Sequence, residues 1–166
     1  VLVAAVAAGV LINTAGELQS RAADTGDDAQ AQVSNQIDVV SATGEISSNN
    51  VSTVTIVVKK SPGSDPIDLT ATTIEYTSSG SSATLSEAGA TSGTEFTTTE
   101  IKGDGDSVLD DTSERIELTI DVSAVEGGNG IAPGSTAELQ IVDQSGASTI
   151  YGVNVPDVLT GTYVEV

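Results

Sequence analysis

The chain lacks several residue types on which enzymes and small secreted domains commonly depend. It has no cysteine, histidine, methionine or tryptophan, and its aromatic residues are three tyrosines and one phenylalanine. Without cysteine, disulfides and thiolate chemistry are excluded. The lack of histidine removes most zinc sites, the Ser-His-Asp and Cys-His nucleophiles and the commonest general base. We therefore predict a protein that is not an enzyme, requires no cofactor and has an aliphatic core.

Positive charge is also scarce. Five Lys and Arg residues stand against 24 Asp and Glu residues, for a net charge of −19 in 166 residues. This balance argues against a nucleic-acid partner, because phosphates need Lys and Arg to neutralise them. Self-repulsion of this size is costly at low ionic strength, but in molar salt the Debye length falls to about 3 Å. The composition is typical of a halophile's protein; a generic acidic extracellular protein is the alternative.

What the chain does have is an uncharged apolar run, Val1–Ile12, at its start. From Leu11 to Val40, apolar or small residues recur every three or four positions, which is the helical period. Gly44 would suit a helix C-cap. The pattern predicts one helix of about forty residues, on the order of 60 Å long.

Small residues crowd this helix and would let helix backbones approach closely where little water drives association. We predict that the helix bundles with copies of itself. The predicted assembly core consists of Val1, Leu2, Val6, Ala8, Gly9, Val10, Leu11, Ala15, Leu18 and Ala22.

The apolar run begins without an initiator Met or a basic segment, so we expect a front that has been processed or truncated. The run has twelve residues, whereas a helix needs about twenty apolar residues to span a bilayer. Further apolar residues before Val1 would let the helix insert transiently into a membrane before assembly.

After Gly44 the pattern changes to period two and to Val, Thr and Ser, which favour strands. Alternation is clearest in Glu114–Val122, where every second residue is apolar. The chain predicts an α+β protein in which an assembly helix (residues 1–44) precedes an outer, immunoglobulin-like antiparallel β-sandwich (45–166). The predicted strands are Val51–Lys60, Pro66–Thr73, Thr73–Ser78, Ala83–Ser86, Thr94–Ile101, Glu114–Val122, Ser135–Val142, Ser148–Val155 and Val158–Val166.

Three polar features of the chain are candidate sites. The loop Lys102–Glu114 carries clustered carboxylates that suit Ca²⁺ or Mg²⁺, although an acidic loop without an ion is the alternative. Asn50 begins an N-glycosylation sequon that we expect to be exposed, or that arose by chance. Glu17 either points outward or pairs with Arg21 one turn later. The metal candidates are Asp104, Asp106 and Asp110, with Asp111 close by.

The segments Val1–Gly16 and Gln32–Gly44 resemble the N-terminal helix of archaellins, the subunits of the archaeal swimming filament, and in particular those of haloarchaea. Asp106–Leu118 and Tyr151–Leu159 resemble recurrent stretches of their β-domains. Glu17 departs from the family pattern, which usually has an aromatic residue there.

This resemblance implies an extracellular, glycosylated helical homo-polymer with helices inside and β-domains outside. It also implies subunits that are cut by a prepilin-type peptidase and assembled from the membrane. The implied partners are a second archaellin and the motor and membrane assembly machinery at the filament base.

Two other classes remain open at this point. An adhesive type IV pilin shares the helix but does not rotate. A membrane-tethered binding module or secreted enzyme would use the helix only as an anchor, and pairs of Asp and Glu can hydrolyse glycosides without histidine. The chain has no GxxxxGK[ST] loop, so we expect force to come from a motor rather than from the subunit.

Overall fold

The computed structural model describes residues 1–166 and consists of one long helix followed by a β-domain. Helix α1 spans Leu2–Ser34, and a four-residue helix, α2, spans Val122–Val125. A single 3₁₀ turn covers Leu69–Ala71. The strands are β1 Ile37–Ser47, β2 Asn50–Lys60, β3 Ile67–Asp68, β4 Thr73–Ser78, β5 Ser82–Glu87, β6 Glu95–Lys102, β7 Val108–Leu109, β8 Arg115–Ile120, β9 Thr136–Val142, β10 Ser148–Asn154 and β11 Tyr163–Glu165.

Helix α1 is shorter than the sequence pattern predicts. The prediction that it reaches Gly44 is wrong, because Asn35 adopts extended backbone angles (φ −76°, ψ 124°) and residues from Ile37 onward form β1. Strand β1 pairs with β2 along its whole length, from Ile37 opposite Lys60 to Ser47 opposite Asn50. Pairing with a distant strand therefore overrides the local helical spacing. At about 1.5 Å per residue the helix is about 50 Å long.

Gly44 lies inside β1 rather than at a helix end. It faces Val54 across the β1–β2 ladder. A Cβ atom at this position would lie 2.7 Å from Cγ1 of Val51 and 3.1 Å from Cγ1 of Val166. The glycine is thus explained by close packing within the sheet, and the strand-forming part of the chain begins before the predicted boundary at residue 44.

Nine strands form one curled sheet in the order β10-β9-β4-β5-β6-β8-β2-β1-β11. Every neighbouring pair is antiparallel except β5 and β6, while β3 and β7 form a separate antiparallel pair. The hydroxyl of Tyr151 on β10 donates to the carbonyl oxygen of Val166, just after β11, at 2.7 Å. The two edges of the sheet are therefore brought together. The predicted α+β class, a long helix followed by an antiparallel β-domain, is confirmed.

The core is aliphatic, as the composition predicts. Val54, Ile56 and Val58 of β2 are fully buried and lie opposite Ile120, Leu118 and Ile116 of β8, which are also buried. Burying a side chain of this size contributes about 1.5–3 kcal/mol. The core cluster has 24 members, and helix α1 provides none of them. The β-domain can therefore fold without the helix's apolar surface.

Most predicted strands occur within a few residues of their expected bounds, but three predicted segments differ. Pro66–Thr73 contains only the short β3 before a 3₁₀ turn, because the Asp68 side chain accepts from the Thr70 amide at 2.8 Å. Glu114–Val122 ends as helix α2, capped by Asp121. Within Val158–Val166, only β11 is strand. Strands β1 and β7 were not predicted.

Glu126 ties the end of α2 to strand β4. Its Oε1 accepts hydrogen bonds from the Tyr76 hydroxyl at 2.6 Å and the Ser78 hydroxyl at 2.5 Å. Partial burial raises the pKa of Glu126, but the hydrogen bonds from Ser78, Tyr76 and Ser81 outweigh it and lower the pKa below its ordinary value. Burial raises the pKa of Tyr76, and its bond to Glu126 adds to this effect. The folded state therefore favours a charged carboxylate beside a neutral phenol.

Replacing Glu126 with Gln should weaken the fold in a pH-dependent manner. A carboxylate whose pKa is lowered by folding stabilises the protein above its unfolded pKa of about 4.3, and this contribution disappears as the pH falls through the folded pKa. We expect E126Q to reduce the free energy of unfolding by about 1 kcal/mol at neutral pH and by less in acid. Urea denaturation at constant high salt across this pH range measures both effects.

The matched control is Glu75→Gln, which removes an exposed carboxylate from the same strand as Tyr76. It should leave stability at neutral pH nearly unchanged. An E126Q protein with the same loss of stability at every pH would contradict the assigned role of the Glu126 charge.

Candidate assembly surface and acidic loop

The apolar face of α1 has no partner within the chain. No residue of the helix is buried, and Leu2, Leu11 and Leu18 are 83%, 69% and 64% exposed. Exposed apolar surfaces of this extent mark interaction sites. All the predicted assembly residues are exposed: Val1, Leu2, Val6, Ala8, Gly9, Val10, Leu11, Ala15, Leu18 and Ala22.

The glycines of α1 have no explanation within one subunit. A Cβ atom added at Gly9 or Gly16 would meet nothing within 4 Å. Glycine inside a helix costs about 1 kcal/mol relative to alanine. The space left by these glycines is therefore useful only to a molecule that packs against the helix from outside.

The first charged residue of the helix is Glu17. Arg21 lies 3.5 Å from Glu17 (Nη2 to Oε1), so the predicted pair forms, although both side chains are largely exposed. An exposed pair at this spacing contributes only a few tenths of a kcal/mol. Three more acidic residues follow, at Asp24, Asp27 and Asp28. The uncharged half of α1 therefore ends where its charged half begins.

The helix is also long and apolar enough, by length and composition alone, to cross a membrane. It contains an 18-residue stretch with a mean hydropathy of 1.4. This stretch is longer than the apolar run Val1–Ile12, because it continues past the polar residues Asn13 and Thr14.

The acidic loop brings together a different set of carboxylates from the predicted one. Ligand oxygens of Asp104, Asp110 and Glu114 lie within 4.8 Å of one another. Asp106 is outside this group, and its Oδ1 instead accepts from the Val108 amide at 2.8 Å. Glu114 is not among the predicted metal candidates, because it lies at the end of the loop in the sequence. It is only 6% exposed, which sequence reasoning did not anticipate for a charged residue.

Hydrogen bonds within the chain organise this loop. Glu114 Oε2 accepts from the amides of Asp110 and Asp111 at 2.7 and 2.9 Å. The buried Lys60 donates from Nζ to the Asp110 carbonyl at 2.7 Å. Ca²⁺ takes six to eight oxygen ligands, and each of the three carboxylates brings one oxygen into the group. Binding of Ca²⁺ or Mg²⁺ here stays a prediction.

The carboxylates of the loop affect one another's ionisation. The Glu114 charge raises the pKa of Asp110 above its ordinary value, with desolvation and the charge of Asp104 adding to the effect. Hydrogen bonds from Ser113 lower the pKa of Asp111. Neighbouring acids in one loop thus titrate in opposite directions from the ordinary value.

The glycosylation candidate, Asn50, is less accessible than expected. It is half-buried at the start of β2, and its Nδ2 donates to the Asn129 carbonyl at 2.7 Å. A glycan would replace one of the two Nδ2 hydrogens, so only one hydrogen would remain to donate to Asn129. Glycosylation of Asn50 stays a prediction.

Replacing Asp104 with Asn should lower the pKa of Asp110, because it removes one of the negative charges that oppose ionisation. The remaining Glu114 charge should still keep this pKa above that of an ordinary aspartate. A carboxyl ¹³C NMR titration of the detergent-solubilised subunit at low salt measures the change, since salt would screen it. Glu138→Gln, an exposed change on β9, is the control, and an unchanged Asp110 pKa in D104N would refute the coupling.

Comparison with known proteins gives a consistent result across most of the chain. A family model described as archaeal-type flagellin matches residues 1–153. Flagellin B2 of Halobacterium salinarum is 43% identical over 164 residues, covering 96% of this chain and 83% of the relative. Flagellin A2 of Haloferax volcanii is 34% identical over 187 residues, covering 97% of this chain and 85% of the relative.

Two solved structures share the fold. The crystal structure of an archaeal flagellin from Methanocaldococcus jannaschii matches with a TM-score of 0.72 and 17% identity, covering 79% of this chain and 96% of that one. The archaeal flagellum of Methanospirillum hungatei matches with a TM-score of 0.71 and 21% identity, covering 98% of this chain and 91% of that one. The second match includes nearly the whole chain, helix and β-domain together.

Proposed function

This chain belongs to the archaeal-type flagellin family, as its resemblance to archaellins predicts, and we propose that it polymerises through helix α1. It is a structural subunit of the archaellum, the extracellular swimming filament of archaeal cells. The observation that carries the proposal is that no residue of α1 is buried in the isolated subunit. Family membership favours this function over an adhesive pilin or a tethered module.

The energy for polymerisation comes from covering the uncharged half of α1. Burial of a large aliphatic side chain contributes about 1.5–3 kcal/mol, so several such residues supply on the order of 10 kcal/mol per subunit. Contacts between unlike faces of identical subunits, repeated without closure, generate a helical filament. The polymer then needs no covalent link between subunits. The apolar side chains that would be covered include Leu2, Val6, Val10, Leu11 and Leu18.

The β-domain would form the outer wall of this filament. It carries most of the acidic residues, and its own core is complete without the helix. The charged carboxylates of this surface keep water and counter-ions bound, which opposes clumping of neighbouring filaments in concentrated salt. The acidic surface thus serves solubility, while the helix serves assembly.

Three further parts of the proposal concern partners. We propose that α1 resides in the membrane before assembly, which its length and hydropathy support. A motor and assembly machinery at the filament base would supply torque and insert new subunits. A second archaellin would be able to join the same filament, provided that it presents a helix with the same small residues at the contact.

Replacing both Ala8 and Gly9 with Leu should block filament assembly. A side chain at Gly9 meets nothing within the subunit, so the fold should persist. The larger side chains would instead separate helix backbones that small residues allow to pack closely. Electron microscopy of material sheared from cells in high salt, together with a swimming assay, measures the loss.

Gly26→Leu is the matched control, because it also replaces an open helix glycine but lies in the charged half of α1. Filaments should form in this variant. Normal filaments and swimming in the A8L/G9L variant would contradict the proposed close packing of the uncharged half of α1.

A further inference from the structure

The end of helix α1 is held by a tight turn of the β-domain. Ser61, Pro62, Gly63 and Ser64 form a β-turn in which the Ser64 amide donates to the Ser61 carbonyl at 3.2 Å. Gly63 has φ +93°, which suits the third position of a type II turn, and proline suits the second. The turn is therefore fixed by its own residue types before it meets the helix.

Buried hydrogen bonds join this turn to the residues that end α1. The Ser64 hydroxyl donates to the Ser34 carbonyl and accepts from the Gln36 amide, both at 3.0 Å. The Asn35 side chain accepts from the Asp65 amide at 2.9 Å. Asn35 and Ser64 are 3% and 7% exposed. The Ser34 carbonyl is one of the groups that a helix end leaves unpaired, so this contact also terminates the helix.

A second segment of the β-domain, the turn between β9 and β10, also lies beside the last turn of α1. We call residues 61–68 the first wall and residues 143–147 the second wall. In the β9–β10 turn, a Cβ atom at Gly146 would lie 2.9 Å from Nε2 of Gln32, so glycine leaves room for that helix side chain. Gln144, two residues earlier, fastens this turn to the first wall, with its Nε2 donating to the Pro66 carbonyl at 2.9 Å. We call residues 61–68 and 143–147 together the socket.

Because α1 is long, a small change of its angle at the socket displaces its far end by a large distance. Helix α1 has 33 residues and no buried side chain, so its direction relative to the β-domain is set at its last turn. Over about 50 Å, a tilt of about 5° moves the far end by about 4 Å. Packed helices lie about 8–10 Å apart, so this error is about half of one helix spacing.

From this geometry we propose that the socket positions α1 for assembly, with Asn35 and Ser64 as its positioning residues. They fix the angle between helix and sheet, so that bundled copies of α1 hold their β-domains in a uniform array. This role rests on the proposed polymerisation through α1. The fixed angle itself is a property of the single subunit and can be measured there.

The test measures the helix direction in the detergent-solubilised full chain. Because the chain has no cysteine, Ala22→Cys on α1 and Thr77→Cys on β4, both exposed, can carry a pair of spin labels. Electron paramagnetic resonance then gives the distribution of distances between them. We expect one narrow distribution in the labelled parent and a distribution about twofold broader in the double variant N35A/S64A, because the buried bonds that restrict local opening are lost.

Two further variants separate positioning from folding. Asn35→Asp keeps the acceptor oxygen and should retain the narrow distribution. Gln144→Ala removes an exposed side chain from the second wall, so it should broaden the distribution even if N35A/S64A fails to fold. An unchanged distribution in Gln144→Ala and in folded N35A/S64A would overturn the positioning role.

The same variants then connect the subunit to the filament. In chains that keep Ala22 and Thr77 and carry no spin labels, we expect N35A/S64A to polymerise into filaments whose β-domains are disordered in electron cryo-microscopy, while N35D filaments resemble the parent. A parent chain that forms no filament would refute polymerisation through α1. The fixed angle measured in the single subunit would still stand. Broad subunit distributions combined with parent-like filaments would refute the link between socket and array.

Discussion

The rest of the structure depends on an apolar surface that the subunit cannot cover by itself. The first sixteen residues carry no charge, and none of their side chains is buried. The β-domain leaves that surface free because its own core is closed, with β2 and β8 at its centre. Folding of the β-domain and burial of the helix are thus separate events, and the second requires a partner outside the subunit, which in the proposed filament is other copies of α1. The single subunit thus has a complete β-domain core, whereas the apolar surface of α1 is left uncovered.

Salt links these two events. Carboxylates of Asp104, Asp110 and Glu114 lie within 4.8 Å of one another, and the whole chain carries a net charge of −19. At low ionic strength such repulsion opposes both the fold and the approach of neighbouring subunits. In molar salt the Debye length of about 3 Å removes most of it between exposed groups, while the apolar attraction of α1 is not screened. Concentrated salt therefore favours polymerisation by weakening only the opposing term.

The sequence predicts those parts of the fold in which the local pattern of apolar residues is compatible with only one type of secondary structure. The alternation of Ile116, Leu118 and Ile120 predicts β8 and its buried face correctly. Val33, Ile37 and Val40 continue the spacing of the helix, yet Ile37 and Val40 lie in β1. Ile37 pairs with Lys60 of β2, and the residues on either side of Val40 pair with Val58 and Val57. The socket that ends the helix comes from Ser64, thirty residues after Ser34 in the chain. Likewise, the bond that engages Asn50 comes from Asn129, which no local pattern relates to it. The spacing of apolar residues along the chain predicts which face of a helix or strand is buried. It does not predict the hydrogen bonds from distant residues that end a helix or engage a surface side chain.

The two ways in which α1 makes contact follow from the different properties of apolar burial and hydrogen bonding. Apolar burial is non-directional, so it can hold many copies together while leaving their relative angle poorly determined. Hydrogen bonds weaken steeply away from linearity, so a buried set of them determines an angle. The chain places uncharged side chains where only attraction is needed, over Val1–Gly16, and places Asn35 and Ser64 where direction is needed. If the joint were apolar, neighbouring helices could still bundle, but about 50 Å of lever would turn small errors at the joint into irregular spacing of the outer wall.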